Sequence, residues 1–87
     1  MSEQRHIVEE LISTLKQQRD ELRLKIHLAD ADLKDEWEKL EDKFAAMKAD
    51  YEPVKHAVGE SASDVWESLK LVGGEIQEGF HRIRKAL

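Results

Sequence analysis

The stretch ADYEPVK, residues 49–55, carries the single proline of the chain and decides the predicted fold. Proline suits the first turn of a helix and disrupts a helix interior, because it has no amide proton and its φ is fixed. On both sides of this stretch, apolar residues recur at alternating steps of three and four, which is the seam of a coiled coil. The sequence therefore predicts a first helix over residues 3–51, a turn at 51–55 and a second helix over 55–87.

The order of steps along the two seams predicts which residues face one another. Counted outward from the turn, both helices show the same series of steps, which pairs Trp37 with Val72 and Leu22 with Leu87. An antiparallel hairpin folded about residues 54–55 requires this relation. We therefore predict an antiparallel helical hairpin, a two-stranded coiled coil with a long first helix.

Two other arrangements, one with a different turn and one without a turn, are compatible with the sequence. The stretch GESAS, residues 59–63, offers Gly59 to end one helix and Ser61 or Ser63 to cap the next. Alternatively, one unbroken helix is kinked at Pro53, since the apolar phase continues across it. The mirrored order of the seams favours the hairpin at Pro53 over both alternatives.

Two local features depart from an ideal helix. Adjacent Gly73 and Gly74 lower helix propensity, and the predicted register places them beside Trp37, where a missing Cβ makes room for the indole. The stretch LRLKIHLA, residues 22–29, alternates apolar and polar residues as a strand does. Because helical periodicity continues on both sides, we expect the first helix to run through it.

The unequal arms of the hairpin predict self-association. Residues 1–21 extend beyond the end of the second helix, and a long exposed apolar stripe usually marks a contact. Small helical scaffolds also commonly need oligomerisation to be stable. We therefore predict a single all-α domain, residues 1–87, that forms a homodimer with four helices. The candidate self-association residues are Ile7, Val8, Leu11, Ile12, Leu15, Leu24, Leu28 and Trp66.

Composition excludes several classes of function. The chain of 87 residues has no cysteine, which excludes a disulfide framework, a thiolate metal site and a cysteine nucleophile. It contains neither an apolar run long enough to span a membrane nor the apolar core of a secretory signal. The net charge of −5 makes nucleic acid an unfavourable general partner. We expect a cytoplasmic protein.

The sequence carries no recognisable motif for catalysis. A P-loop, a GxSxG elbow and an HExxH pattern are all missing from it. Glu78 and His81, and likewise Glu3 and His6, have the i, i+3 spacing of ligands in di-iron bundles. Helical phase places both histidines off the seam, towards solvent. We therefore expect no enzyme activity, no cofactor and no metal ion.

Cations gather at the open end of the predicted hairpin. They form a candidate anion-binding zone made of Arg19, Arg23, Lys25, Arg82, Arg84 and Lys85. Our leading hypothesis is a structural or interaction protein, which self-associates and presents a charged rod to a protein partner. The alternative is a small binding module that holds nucleic acid or another polyanion through this zone.

Three segments carry a resemblance to a known family. These are DEWEKLE at residues 35–41, EPVK at 52–55 and EGFHRIRKAL at 78–87. Together they resemble a family of small bacterial coiled-coil proteins to which no activity is assigned. The resemblance covers residues 19–87. It implies a bacterial, cytoplasmic helical protein and supplies no catalytic residues.

Overall fold

Over the residues that the structure describes, the chain folds as a bundle of three α-helices rather than as a hairpin of two. The structure, a computed structural model, describes residues 2–54 and 63–87. Within these ranges the protein is helical and has no strand, so the all-α prediction is confirmed. The elements in chain order are α1 (Ser2–Arg23), a 3₁₀ turn (Ile26–Leu28), α2 (Ala31–Tyr51) and α3 (Ser63–Ala86).

The long first helix predicted over residues 3–51 is broken in the middle. The amides of Leu28 and Ala29 bond to carbonyls three residues earlier, at 3.0 and 2.9 Å. Asp30 then adopts extended backbone, and its carboxylate accepts a 2.9 Å hydrogen bond from the amide of Leu33, which caps α2. The predicted continuation through residues 22–29 was wrong. Folding back allows α1 to bury an apolar face that a straight helix would leave in water.

The second connection lies near the only proline. α2 ends at Tyr51, and Glu52–Val54 form a turn with a 3.1 Å bond from the amide of Val54 to the carbonyl of Tyr51. The unbroken helix kinked at Pro53 is excluded, because α3 packs back against α2. The predicted start of the second helix at residue 55 and most of the alternative turn at 59–63 lie outside the described residues. The helix that the structure describes begins at Ser63.

α2 and α3 pack antiparallel, but in a different register from the predicted one. Trp37 contacts Phe80, with ring centroids 5.5 Å apart, and not Val72. Towards the other end, Tyr51 meets Trp66 edge-on at 6.1 Å. The pairing is displaced by about two helical turns. A heptad seam nearly repeats after such a displacement, so the pattern of apolar residues permits both registers.

α1 lies along α3, and these two helices run parallel. Leu11 faces Gly73, and further along both helices Glu21 pairs with Arg84 at 2.7 Å. A Cβ at Gly73 would collide with the Cδ2 atom of Leu11, so the missing side chain permits this close approach. The prediction that this glycine makes room for Trp37 was wrong, because α1 occupies the space.

One apolar core runs along the bundle between the three helices. The Cα atoms extend over 45 × 17 × 16 Å, so the molecule is a short rod. The core consists of residues that are almost fully buried: Val8, Leu15, Leu22, Trp37, Leu40, Phe44, Met47, Trp66, Leu69, Ile76, Phe80 and Ile83.

Candidate binding surface

Most of the predicted self-association residues belong to the core of a single chain. Val8 and Leu15 have no exposed surface, and Trp66 is buried as well. Leu11 and Ile12 are partly buried and pack against the same core. The predicted overhang with an uncovered apolar stripe was therefore wrong. The break before α2 lets α1 find its apolar partner, α3, within its own chain.

Two of the remaining self-association candidates stand almost free in solvent. Leu24 and Leu28 are 75% and 77% exposed, and both lie in the connection between α1 and α2. Because α1 and α3 run parallel, the same end of the bundle also carries Leu87, which is 44% exposed. Ile7, also 44% exposed, lies near the opposite end. Three exposed leucines thus share one end of the rod.

Three cations lie beside these leucines along the chain. Arg23 and Lys25 flank Leu24, and Lys85 lies in the last turn of α3. All three cations are exposed, and none forms an ion pair with another residue of the described ranges. We define the leucine tip as the three leucines and three cations at this end: Leu24, Leu28, Leu87, Arg23, Lys25 and Lys85.

The other half of the predicted anion-binding zone is already paired with acids of the chain. Arg84 contacts Glu21 at 2.7 Å, and Arg82 lies 3.7 Å from Glu36. Arg19 does not join this surface. Its guanidinium lies 3.3 Å from Asp20 and 5.3 Å from the ring centroid of Phe44, where the side chain is mostly buried. The six predicted residues therefore do not form one free basic patch.

Acidic side chains near the leucine tip are largely engaged. The acids beside α1 and at the start of α2 include Asp20, which pairs with Arg19, and Asp30, which caps α2. Asp32, in the first turn of α2, makes no ion pair within the described part of the chain. The cations of the tip therefore outnumber the free acids beside them.

A second charged surface was not among the predicted site residues. Asp35, Glu38 and Asp42 lie on the side of α2 that faces away from α1 and α3, and all three are exposed. Among the described residues none of them has an ion-pair partner. We call this set the acidic flank. Its signal in the sequence is the i, i+3, i+7 spacing of acids opposite the apolar seam.

A shallow groove runs between α2 and α3. It has a volume of about 200 Å³, with Met47, Leu69 and Val72 along its floor. Lys43 and Glu75 close one side through a 3.6 Å ion pair. The floor is apolar, and the groove is open to solvent.

At the end of the bundle opposite the leucine tip, Tyr51 connects α2 to α1. The hydroxyl of Tyr51 donates a 2.6 Å hydrogen bond to Glu9, which joins α2 to α1. Burial, and then this hydrogen bond, raise the pKa of Tyr51 to about 12. The phenol therefore stays protonated at neutral pH and acts as a donor.

The described residues include no group of three or more His, Asp or Glu side chains placed to hold a metal ion. His81, one of the histidines with metal-ligand spacing, is exposed on α3. Within 2–54 and 63–87, no helix combines the length and the apolar character needed to cross a membrane.

Comparison with protein-family models, curated proteins and solved structures finds no match to this chain.

Proposed function

We propose that this chain is a non-catalytic interaction protein, which binds a protein partner at the leucine tip. The observation that carries the proposal is that Leu24 and Leu28, at 75% and 77% exposed, share one end of the rod with Leu87, whereas the comparably exposed Leu71 lies on α3 outside that end. Exposed apolar residues with a polar rim are typical of protein–protein contacts. Here the rim consists of Arg23, Lys25 and Lys85.

The charge of the tip indicates the chemistry of the partner. A partner surface that covers the leucines must also lie against three cations that form no ion pair within residues 2–54 and 63–87. Acidic groups around an apolar centre fit this requirement, because complementary charge favours encounter and excludes other partners. We therefore propose that the partner presents apolar side chains flanked by aspartate or glutamate.

A module for polyanions is the second candidate. Arg23, Lys25 and Lys85 support it because they are exposed and unpaired within the described residues. Arg82 and Arg84 weaken it, since acids of the chain already engage them. A polyanion would use the cations and would leave the leucines without a role.

A titration followed by nuclear magnetic resonance separates the two candidates. The probes are a synthetic helical peptide with leucines on one face and glutamates on the others, and heparin at low salt. We expect the peptide to shift the signals of Leu24, Leu28 and Leu87. We expect the Leu28→Ser variant to weaken its binding about fivefold to thirtyfold, which corresponds to about 1–2 kcal/mol for one buried side chain.

The control is Leu71→Ser, which changes a leucine that is 69% exposed on α3 and lies outside the tip. This variant should bind the peptide as the unaltered chain does. No shift at the tip with the peptide, or equal loss in both variants, contradicts the proposal. Tight heparin binding that is insensitive to Leu28→Ser and lost in Lys25→Glu/Lys85→Glu favours the polyanion module instead.

Assembly and location are also part of the proposal. Self-association no longer follows from an overhang of α1, and any homodimer, four-helix or otherwise, has to use surfaces left exposed by the bundle. A bacterial, cytoplasmic origin rests on composition and on the family resemblance of residues 19–87. Expression of the tagged full chain with cell fractionation would test the location.

A further inference from the structure

We propose that the leucine tip of one copy docks on the acidic flank of a second copy, so that the chain assembles head to side. This inference rests on the proposed function, because it names a partner for the same tip. Asp35, Glu38 and Asp42 form the acidic flank, and they are free of ion pairs among the described residues. The chain thus carries a surface of the chemistry that its own tip requires.

The apolar part of the contact is available on the flank as well. Ala45 and Ala49 continue the same exposed side of α2 beyond Asp42, at helical spacing from it. Because the alanine side chains are short, Leu24 and Leu28 of the other copy can pack closely against the backbone of α2 at this point. Lys34 and Lys39 are exposed beside these acids and reduce the net charge of the flank from −3 to −1 without cancelling it.

Symmetry argues against the simpler modes of self-association. A two-fold contact brings the same patch of both copies together. Tip against tip would place Arg23, Lys25 and Lys85 against the same three cations, and flank against flank would oppose like acids. Like charges in direct contact are unfavourable. Tip against flank is the arrangement that pairs opposite charges and covers the leucines.

The geometry of the contact fixes the form of the assembly. We infer a contact that is not reciprocated, in which a bound copy still offers one free tip and one free flank, so that the association continues as an open chain or closes into a ring. The end of the rod measures only 17 × 16 Å between Cα atoms, which limits the buried area. Interfaces that bury little surface area are weak. We expect association that depends strongly on concentration and on salt.

Sedimentation equilibrium of the full chain tests the inference. We expect the average mass to rise continuously above 10.1 kDa with concentration at low salt. It should fall back towards 10.1 kDa when sodium chloride increases from about 0.05 to about 0.5 M, because salt screens exposed charge pairs. Circular dichroism of each variant checks that the helices remain.

Two blocked variants sharpen the test. Leu24→Ser/Leu28→Ser removes the tip and keeps the flank, whereas Asp35→Asn/Glu38→Gln/Asp42→Asn removes the flank and keeps the tip. Each variant alone should stay monomeric. An equimolar mixture should form a complex that stops at two copies, because it contains one working tip and one working flank.

The control variant is Leu71→Ser/Glu78→Gln, which alters an exposed leucine and an exposed glutamate of α3 outside both surfaces. It should assemble as the unaltered chain does. A chain that is monomeric throughout, one that stops at a dimer, or one whose assembly survives both blocked variants overturns the inference. If the acidic peptide still binds the tip in those cases, the proposed function stands while the self-docking inference fails.

Discussion

α1 contacts its two neighbouring helices in different ways. Against α3 it packs closely, with Leu11 lying where Gly73 has no side chain. Against α2 the separation is larger, and long polar side chains bridge it, as in the stacking of Arg19 on Phe44 at 5.3 Å. The comparison shows that α3 is the central element of the bundle, whereas the contact of α1 with α2 is supplementary.

Glycine placement on α3 accounts for this difference. Gly73 admits α1, and Gly79 admits Leu40 of α2, since a Cβ at either position would collide with a leucine. α3 can therefore approach both neighbours closely at once. The approach has a cost, because a glycine within a helix destabilises it by about 1 kcal/mol relative to alanine.

The largest expected effect comes from the apolar face of α1. Leu15→Ala should lower the free energy of unfolding by about 2–5 kcal/mol, because Leu15 is fully buried between the helices. Chemical denaturation at high salt measures it. Leu24→Ala is the control and should change the free energy by no more than about 0.5 kcal/mol. Equal effects of the two substitutions would contradict the packing of α1 within the chain.

The adjacent Gly73 and Gly74 separate the close packing of α1 on α3 from the effect of helix propensity. Gly73→Ala should destabilise the protein by about 1–3 kcal/mol, because the new methyl group meets Leu11. Gly74→Ala should stabilise it by about 1 kcal/mol, since nothing lies within 4 Å of the added Cβ and alanine favours the helix. Thermal unfolding distinguishes the two. Shifts of the same sign in both variants would show that α1 does not approach α3 at Gly73.

The hydrogen bond of Tyr51 contributes less to the free energy of unfolding than the packing at Leu15 and Gly73 does. Tyr51→Phe should cost about 0.5–1.5 kcal/mol at neutral pH, through loss of the bond to Glu9. Because the pKa of Tyr51 is raised from 10.0 to about 12, its contribution is present below pH 10 and is lost as the pH rises towards 12. Denaturation of both proteins across this range measures the difference, which should shrink with pH. A difference that is constant or grows would contradict this bond.

The smallest expected effect on the free energy of unfolding comes from Arg19, which connects α1 to Phe44 of α2. Arg19→Met keeps an apolar stem over Phe44 and removes the cation, and it should cost about 0.5–1 kcal/mol. Lys48, whose Nζ lies 4.9 Å from the same ring centroid, partly replaces the lost interaction. A loss as large as that of Leu15→Ala would mean that α1 depends on α2 as much as on α3.

The sequence predicts the composition of the core better than its arrangement. Residues of the predicted seams, such as Trp37, Leu40, Ile76 and Phe80, are buried, because apolar periodicity marks the inner face of a helix whatever it packs against. The register of α2 and α3 was not predictable in this way. The seam repeats almost identically after two turns, so apolar periodicity alone does not decide between the two registers.

The break between α1 and α2 was missed because its cause is tertiary. Local periodicity favours a continuous helix, and the gain from breaking it is the burial of Val8 and Leu15 against α3. Asp30, which caps α2 through the amide of Leu33, is the local signal that predicts a new helix start at this point. Leu24 and Leu28 of the leucine tip were among the predicted self-association residues, and both are exposed. Their proximity to Leu87 follows only from the parallel course of α1 and α3.

Small-angle X-ray scattering of the full chain, at high salt and low concentration, shows directly whether α1 folds back onto α3 within one chain. It reports shape and mass together. If α1 folds back onto α3 within one chain, the particle is a monomer of 10.1 kDa with a radius of gyration close to the 14.0 Å of the Cα atoms. A rod about 70 Å long, the length of an unbroken helix over residues 3–51, would contradict the account, as would a compact dimer formed by exchange of α1.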